Sequence, residues 1–161
     1  MSTLTRSLAI HALVLSVGMP AVLTGATGEP DEIPVAEPLA YVRLYCDSDG
    51  ESHFADEAMP FTLVEFAPPA PPVSVSTAMA AEVVAIISSP PSWHGDWHPA
   101  PRRQLMFVLS GEVEVEVTDG EVRRLTTGAI ALVEDTACKG HVSRIVGGSR
   151  AYIANVPLRA E

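Results

Sequence analysis

Residues Glu112-Val-Glu-Val-Glu-Val-Thr118, followed by Asp119-Gly120, decide how this chain folds. Strict alternation of valine with glutamate gives a β-strand one apolar and one charged face, because successive side chains point to opposite sides. Asp-Gly favours a two-residue type I′ hairpin, so the chain is expected to return along Glu121 to Leu125. Thr127-Gly128 then turns it into Ala129 to Val133, an apolar run short enough for a buried strand. Just upstream, Arg103 to Ser110 alternates as well. Gln104, Met106 and Val108 share one face of that strand, and Leu105, Phe107 and Leu109 share the other, so both faces read as covered. The expected fold is all-β, built on a closed or nearly closed antiparallel barrel.

Working outward, a His-bearing segment at Asp96-Trp-His98 precedes these strands, Leu109-Ser-Gly-Glu112 joins two of them, and Gly140-His141 follows the Gly128 turn. This pattern resembles the two signature motifs of the small single-domain cupins, over roughly the second half of the chain. The resemblance implies a cupin barrel, a jelly-roll-like double-stranded β-helix that often holds one metal ion. It implies less about chemistry, since one fold hosts many functions. The family's first motif supplies two histidines and a glutamate, and its second supplies one histidine, all pointing inward. Here Gln104 falls where the glutamate is expected. His141 matches the second-motif histidine, with Thr136 and Cys138 at the places of a proline and a glycine and Ile145 at that of an asparagine.

Two registers stay open for the first motif. In the preferred one, His98 matches the second histidine and Asp96 takes the place of the first; in the other, His98 matches the first and Ala100 replaces the second. The resemblance thus implies His98, Gln104 and His141 as metal ligands, with Asp96 as a fourth. Fe(II) is the foremost implied ion, and Mn, Ni or Zn also suit imidazole and oxygen donors. A neutral glutamine weakens binding of a hard ion, so a metal-free pocket is the alternative.

Around this centre, Trp93 and Trp97 offer flat walls for a planar metabolite, with plain packing as their bland reading. Arg102 falls on the same side as Gln104 by alternation and would orient a carboxylate or phenolate, unless it is simply a solvated surface residue. Met106 shares the strand face of Gln104 and joins the expected substrate-binding group. Glu134 and Asp135 end a strand near the motif and are candidates for general acid or base. Lys139, the only lysine, reads as an exposed turn residue rather than a Schiff-base former. The implied function is a metal-dependent oxidoreductase acting on a small aromatic or polyketide-like metabolite in specialised metabolism. A metal-dependent isomerase or cyclase, or a non-catalytic small-molecule-binding barrel, are the alternatives.

The remaining sequence bounds these readings. A chain of 161 residues that is 47% hydrophobic suffices for one domain. A formal net charge of −10 argues against a nucleic-acid partner, because phosphate backbones are held by basic surfaces. Cys46 and Cys138 are too few and too far apart in sequence for a disulfide scaffold and read as buried small hydrophobes. Residues 1–28, with Arg6 before an uncharged apolar run, read as a secretory signal peptide or as an apolar N-terminal extension, which leaves cytoplasmic and secreted locations both open. The run is too short and too interrupted for a membrane span. Residues 29–40, acidic and proline-rich, read as a linker, and 41–161 as the barrel domain. Strands are expected at Tyr41 to Cys46, Phe61 to Phe66 and Ala81 to Ser88, the last of them buried. His53 reads as a surface histidine beside a turn. Exposed strand edges point to a homodimer.

Overall fold

The computed structural model describes residues 32–159, so the leader reading and the first residues of the linker lie outside the described residues. The described residues from Ile33 onward form one compact unit. Eleven strands build it: β1 (Leu39–Cys46), β2 (Ser52–Met59), β3 (Phe61–Val64), β4 (Val73–Ser76), β5 (Ala85–Ser89), β6 (Gln104–Ser110), β7 (Glu112–Val117), β8 (Val122–Thr126), β9 (Ile130–Val133), β10 (His141–Val146) and β11 (Ala151–Pro157). A six-stranded sheet of order β2-β1-β9-β6-β11-β5 faces a three-stranded sheet of order β10-β7-β8, and β3 and β4 form a separate hairpin. The fold is therefore all-β and jelly-roll-like. Among the described residues there is no helix, and so none long and apolar enough to cross a membrane.

The expected closed antiparallel barrel opens into two sheets, and β1 runs parallel to β9. Their facing sides carry the main core, in which Leu44, Val108, Val113, Val115, Val117 and Ile145 are all buried. The valines of the Glu-Val repeat point into it. The glutamates point outward and meet arginines of both neighbouring strands, Glu114 pairing with Arg144 of β10 at 2.6 Å and with Arg124 of β8 at 3.2 Å. Those two hydrogen bonds, Arg144 first, hold the Glu114 carboxyl below the usual carboxylate range. On the other face of the large sheet, Leu105, Leu132 and Leu158 form a second, smaller cluster with Phe107 packed against it, so β6 is covered on both sides at its start, while Leu109 near its end is 50% exposed.

The β7–β8 turn departs from the expected two-residue type I′ form. Val117 and Glu121 are joined by the Val117 N–H to Glu121 carbonyl bond of 3.1 Å, which leaves Thr118, Asp119 and Gly120 in the loop. Gly120 has φ +90°, and Asp119 is not in the positive-φ region, whereas type I′ needs it at both positions. Asp119 instead accepts the Glu121 N–H at 2.8 Å. The expected buried strand at 81–88 starts only at Ala85 and is an edge strand, with Val84 67% and Ile86 59% exposed. An apolar β-branched run has the same composition in either setting.

The cysteines correct the sequence reading outright: Cys46 and Cys138 form a disulfide, with Cα atoms 5.7 Å apart. Nearby, His53 sits on β2 between Asp47 at 2.8 Å and Asp119 at 2.6 Å, clamping the β1–β2 turn to the β7–β8 turn. Hydrogen bonds to Asp47 and then Asp119 raise the His53 pKa. The Asp47 pKa is lowered, chiefly by His53, and that of Asp119 by the Glu121 N–H ahead of His53. A raised histidine pKa adds stability that is fully present below the unfolded value and lost as pH rises through the folded one. Lowered aspartate values add stability above their unfolded pKa that is lost as pH falls through the folded ones. The clamp should therefore contribute most between about pH 4 and 6.5. Thermal melts across pH should show His53→Gln losing most stability near pH 5 and converging on wild type as pH rises through the raised His53 pKa; a pH-independent difference would contradict the clamp.

Candidate functional site

Between the two sheets lies a cavity of about 260 Å³. Its walls are aliphatic, from Leu44, Val108, Val115, Leu125 and Val133 among others, and its polar lining is confined to His98, Gln104, His141, Asn155, Ser89 and Ser143. Ile87 and Trp93 line it while remaining 37% and 40% exposed, so they mark its mouth. His141 is 8% exposed and lies inside, whereas His98 is exposed at the opening.

The two histidines meet for a backbone reason. Residues 93–98 run along β10 as an irregular added strand, with the Gly95 N–H on the Ser143 carbonyl at 2.9 Å and the Ile145 N–H on the Trp93 carbonyl at 2.7 Å. At its end His98 and His141 exchange both backbone bonds, at 3.0 and 2.9 Å, as an antiparallel hydrogen-bonded pair. Side chains of such a pair share one face, and the ring centroids are 4.8 Å apart. His98 does not sit on β6, which begins only at Gln104. In fact β6 belongs to the opposite sheet, and the loop before it makes the contact.

Each imidazole spends one nitrogen on the protein. His141 Nδ1 lies 2.6 Å from Oδ2 of Asp135, which is completely buried. His98 Nδ1 lies 2.8 Å from the Asp96 carbonyl oxygen. Since a carbonyl only accepts, that nitrogen carries the proton, and a carboxylate imposes the same tautomer on His141. Nε2 of both rings is left for chemistry. Asp135 Oδ1 is buried without a partner.

Several residues singled out from sequence lie elsewhere. Asp96 is exposed and offers its backbone carbonyl rather than its carboxylate, while Ala100 is 3% exposed within the main core. Glu134 accepts from Arg43 and from Arg103, and it does not line the cavity, so its carboxylate is engaged away from the site. Arg102 points outward to Glu82 at 2.6 Å, because the chain before Gln104 is bend rather than strand and alternation does not extend to it. Trp97 is 48% exposed and off the cavity, whereas Trp93, Gln104 and Met106 line it. Lys139 is exposed and paired with Glu51. Sequence reasoning missed Asn155 and the Asp135–His141 bond. An asparagine inside the apolar run Ile153 to Val156 was a readable signal for the first, but nothing in the sequence announces the second.

The donor set can be tested against the metal that the cupin resemblance implies. Two Nε2 atoms whose rings are oriented by a carboxylate and a carbonyl match the way metal-binding histidines are held. The third donor lining the cavity is an amide, Gln104, whose nitrogen approaches the Met106 sulfur at 3.8 Å. Among the described residues no cluster of three or more His, Cys, Asp or Glu is placed to hold a metal ion. Such a set fits a borderline ion that accepts imidazole, and does not fit Fe(II) in a site of two histidines and a carboxylate.

The sequence matches no protein-family model and no curated protein. Among solved structures it is similar to the conserved SPY1581 protein of unknown function from Streptococcus pyogenes, at 18% identity and a TM-score of 0.37 over 48% of this chain. The match spans 64% of the SPY1581 chain. It is also similar to the cupin domain of Schizosaccharomyces pombe Cnp3, at 12% identity and a TM-score of 0.36, covering 76% of this chain and 85% of that one. A third is a putative ethanolamine utilization protein EutQ from Salmonella typhimurium, at 14% identity and a TM-score of 0.32, covering 78% and 100%. Likeness at this level bears on neither chemistry nor partners.

Proposed function

We propose that the cavity takes a compact, largely apolar organic molecule, aromatic or polyketide-like, whose polar end lies between His98 and His141. The observation that supports this is the pair of oriented imidazoles beside otherwise aliphatic cavity walls. In this reading His141, fixed by Asp135, exchanges a proton with an enol or phenol of the ligand, and His98 makes a second hydrogen bond at the mouth. Aliphatic walls exclude water from that exchange. The reaction class is proton transfer, as in isomerisation or cyclisation.

A second reading, a metal-dependent oxidoreductase of specialised metabolism, is favoured by the Nδ1 hydrogen bonds that leave both Nε2 atoms free. His98 and His141, with the Gln104 amide, would hold the ion, which supplies Lewis-acid or redox chemistry when bound. Elemental analysis of protein purified without added metal separates the readings. A stoichiometric transition metal, lost in both His98→Ala and His141→Ala, is the result for the second. For the first, titration by NMR should show phenol binding metal-free protein about tenfold more tightly than benzene, the gap closing in His141→Ala. Equal binding of phenol and benzene by wild type would remove it.

A further inference from the structure

Strand β5 is a sheet edge without the usual protection. Its backbone pairs with β11 on one side, and no residue from Val83 to Ser89 has a further backbone partner among the described residues. Unpaired N–H and C=O groups on an edge recruit another strand unless charge, proline or a covering segment prevents it. The other edges of the two facing sheets are managed in this way. Residues 93–98 lie along β10, while β2 carries His53, Asp56 and Glu57 and β8 carries Arg123 and Arg124. By contrast, Val83-Val-Ala-Ile-Ile-Ser-Ser89 has no charge, and Val83, Val84 and Ile86 are each more than half exposed. Ile87, Ile153 and Val108 line the cavity, so by alternation Ile86, Tyr152 and Leu109 lie on the opposite face of the sheet. Tyr152 and Leu109 are exposed as well, and the apolar surface therefore runs from the edge onto that face.

We infer that β5 is a dimerisation strand, pairing antiparallel with β5 of a second copy about a two-fold axis at Ile86, so that two large sheets join into one. Charge favours a second copy over a foreign strand. With a net charge of −10, copies repel across most of their surface, and an uncharged strand is where that repulsion is least. The charges that bound it have opposite signs. Glu82 precedes it, spending Oε2 on Arg102 and leaving Oε1. At its far end Arg150 donates to the Ser88 hydroxyl at 3.0 Å and meets no carboxylate among the described residues. Antiparallel pairing reverses the ends, so Glu82 of each copy comes toward Arg150 of the other, and the two-fold axis repeats the contact. In the same pairing Ile86 meets its own copy, and Val83 and Val84 of one strand lie opposite Ser89 and Ser88 of the other. The strand is thus complementary to itself in shape, polarity and charge.

Light scattering of the full chain at micromolar concentration should return a dimer. Ile86→Lys and Ile86→Glu should each weaken association on the order of tenfold or more, since like charges would then face each other across the axis. An equimolar mixture of the two variants should recover the dimer, because Lys then faces Glu. Arg150→Glu should weaken association too. Hydrogen exchange on wild-type protein reads the same edge without any variant: alternate amides of β5 should be protected at high protein concentration and released on dilution. A wild-type chain that stays monomeric into the high micromolar range overturns the inference. So does a dimer whose affinity is unchanged in both Ile86 variants. Protection of the outward β5 amides that does not depend on concentration would overturn it as well, by showing that another segment of the same chain covers the edge.

Discussion

Replacing Cys46 and Cys138 together by serine should lower stability by about 2–4 kcal/mol and the melting temperature by on the order of 10 °C. The bond closes a loop of 92 positions, and long closures restrict the unfolded chain most in the loop-entropy account. It also fastens the segment from Asp135 to His141 against the β1–β2 turn. Three further contacts hold the same segment: the Lys139 N–H on the Gly50 carbonyl at 3.2 Å, the Ser52 hydroxyl on the Gly140 carbonyl at 2.6 Å, and Lys139 with Glu51. Because the segment positions both Asp135 and His141, the serine variant should also bind phenol more weakly at temperatures well below its melting point. Melting curves with and without reductant, alongside the double variant, measure the first effect. A wild-type curve indifferent to reductant and equal to that of the variant would show that the bond adds nothing.

How much of this was readable in the sequence depends on what each signal reports. Alternation in Glu112 to Val117 fixed a strand, its inward valines and its outward glutamates, since one face is buried and the other charged. Strand β11 was not legible: Ala151-Tyr-Ile-Ala-Asn-Val-Pro157 mixes small, aromatic and polar residues because it is flanked by strands on both sides and faces a cavity on one. The disulfide was invisible because two cysteines 92 positions apart carry no local pattern, and only the folded turns bring their Cα atoms within 5.7 Å. Convergence of His98 and His141 was expected from the motif resemblance, yet the route was different. Local alternation describes strands, and the 93–98 segment that delivers His98 is held by scattered backbone bonds instead.

Gly140→Ala should be the most damaging glycine-to-alanine change among the described residues. The residue has φ +81°, and a Cβ there would stand 2.0 Å from the His98 carbonyl oxygen and 2.3 Å from the Pro99 nitrogen. Backbone atoms cannot yield by rotating, so the 93–98 segment and β10 must separate. Separation breaks the two backbone bonds between His98 and His141, at about 1 kcal/mol each, and the left-handed backbone costs about 1–2 kcal/mol for a residue with a Cβ. A total near 3–4 kcal/mol follows, together with loss of the imidazole pair. Gly120→Ala and Gly128→Ala are the controls: both positions have φ +90°, and an added Cβ at either meets nothing within 4 Å. They pay only the backbone term and should keep phenol binding. Chemical denaturation and phenol titration of all three variants separate the two contributions. If Gly140→Ala matched its controls in both measurements, the close approach of the His98 backbone would not be what assembles the histidine pair.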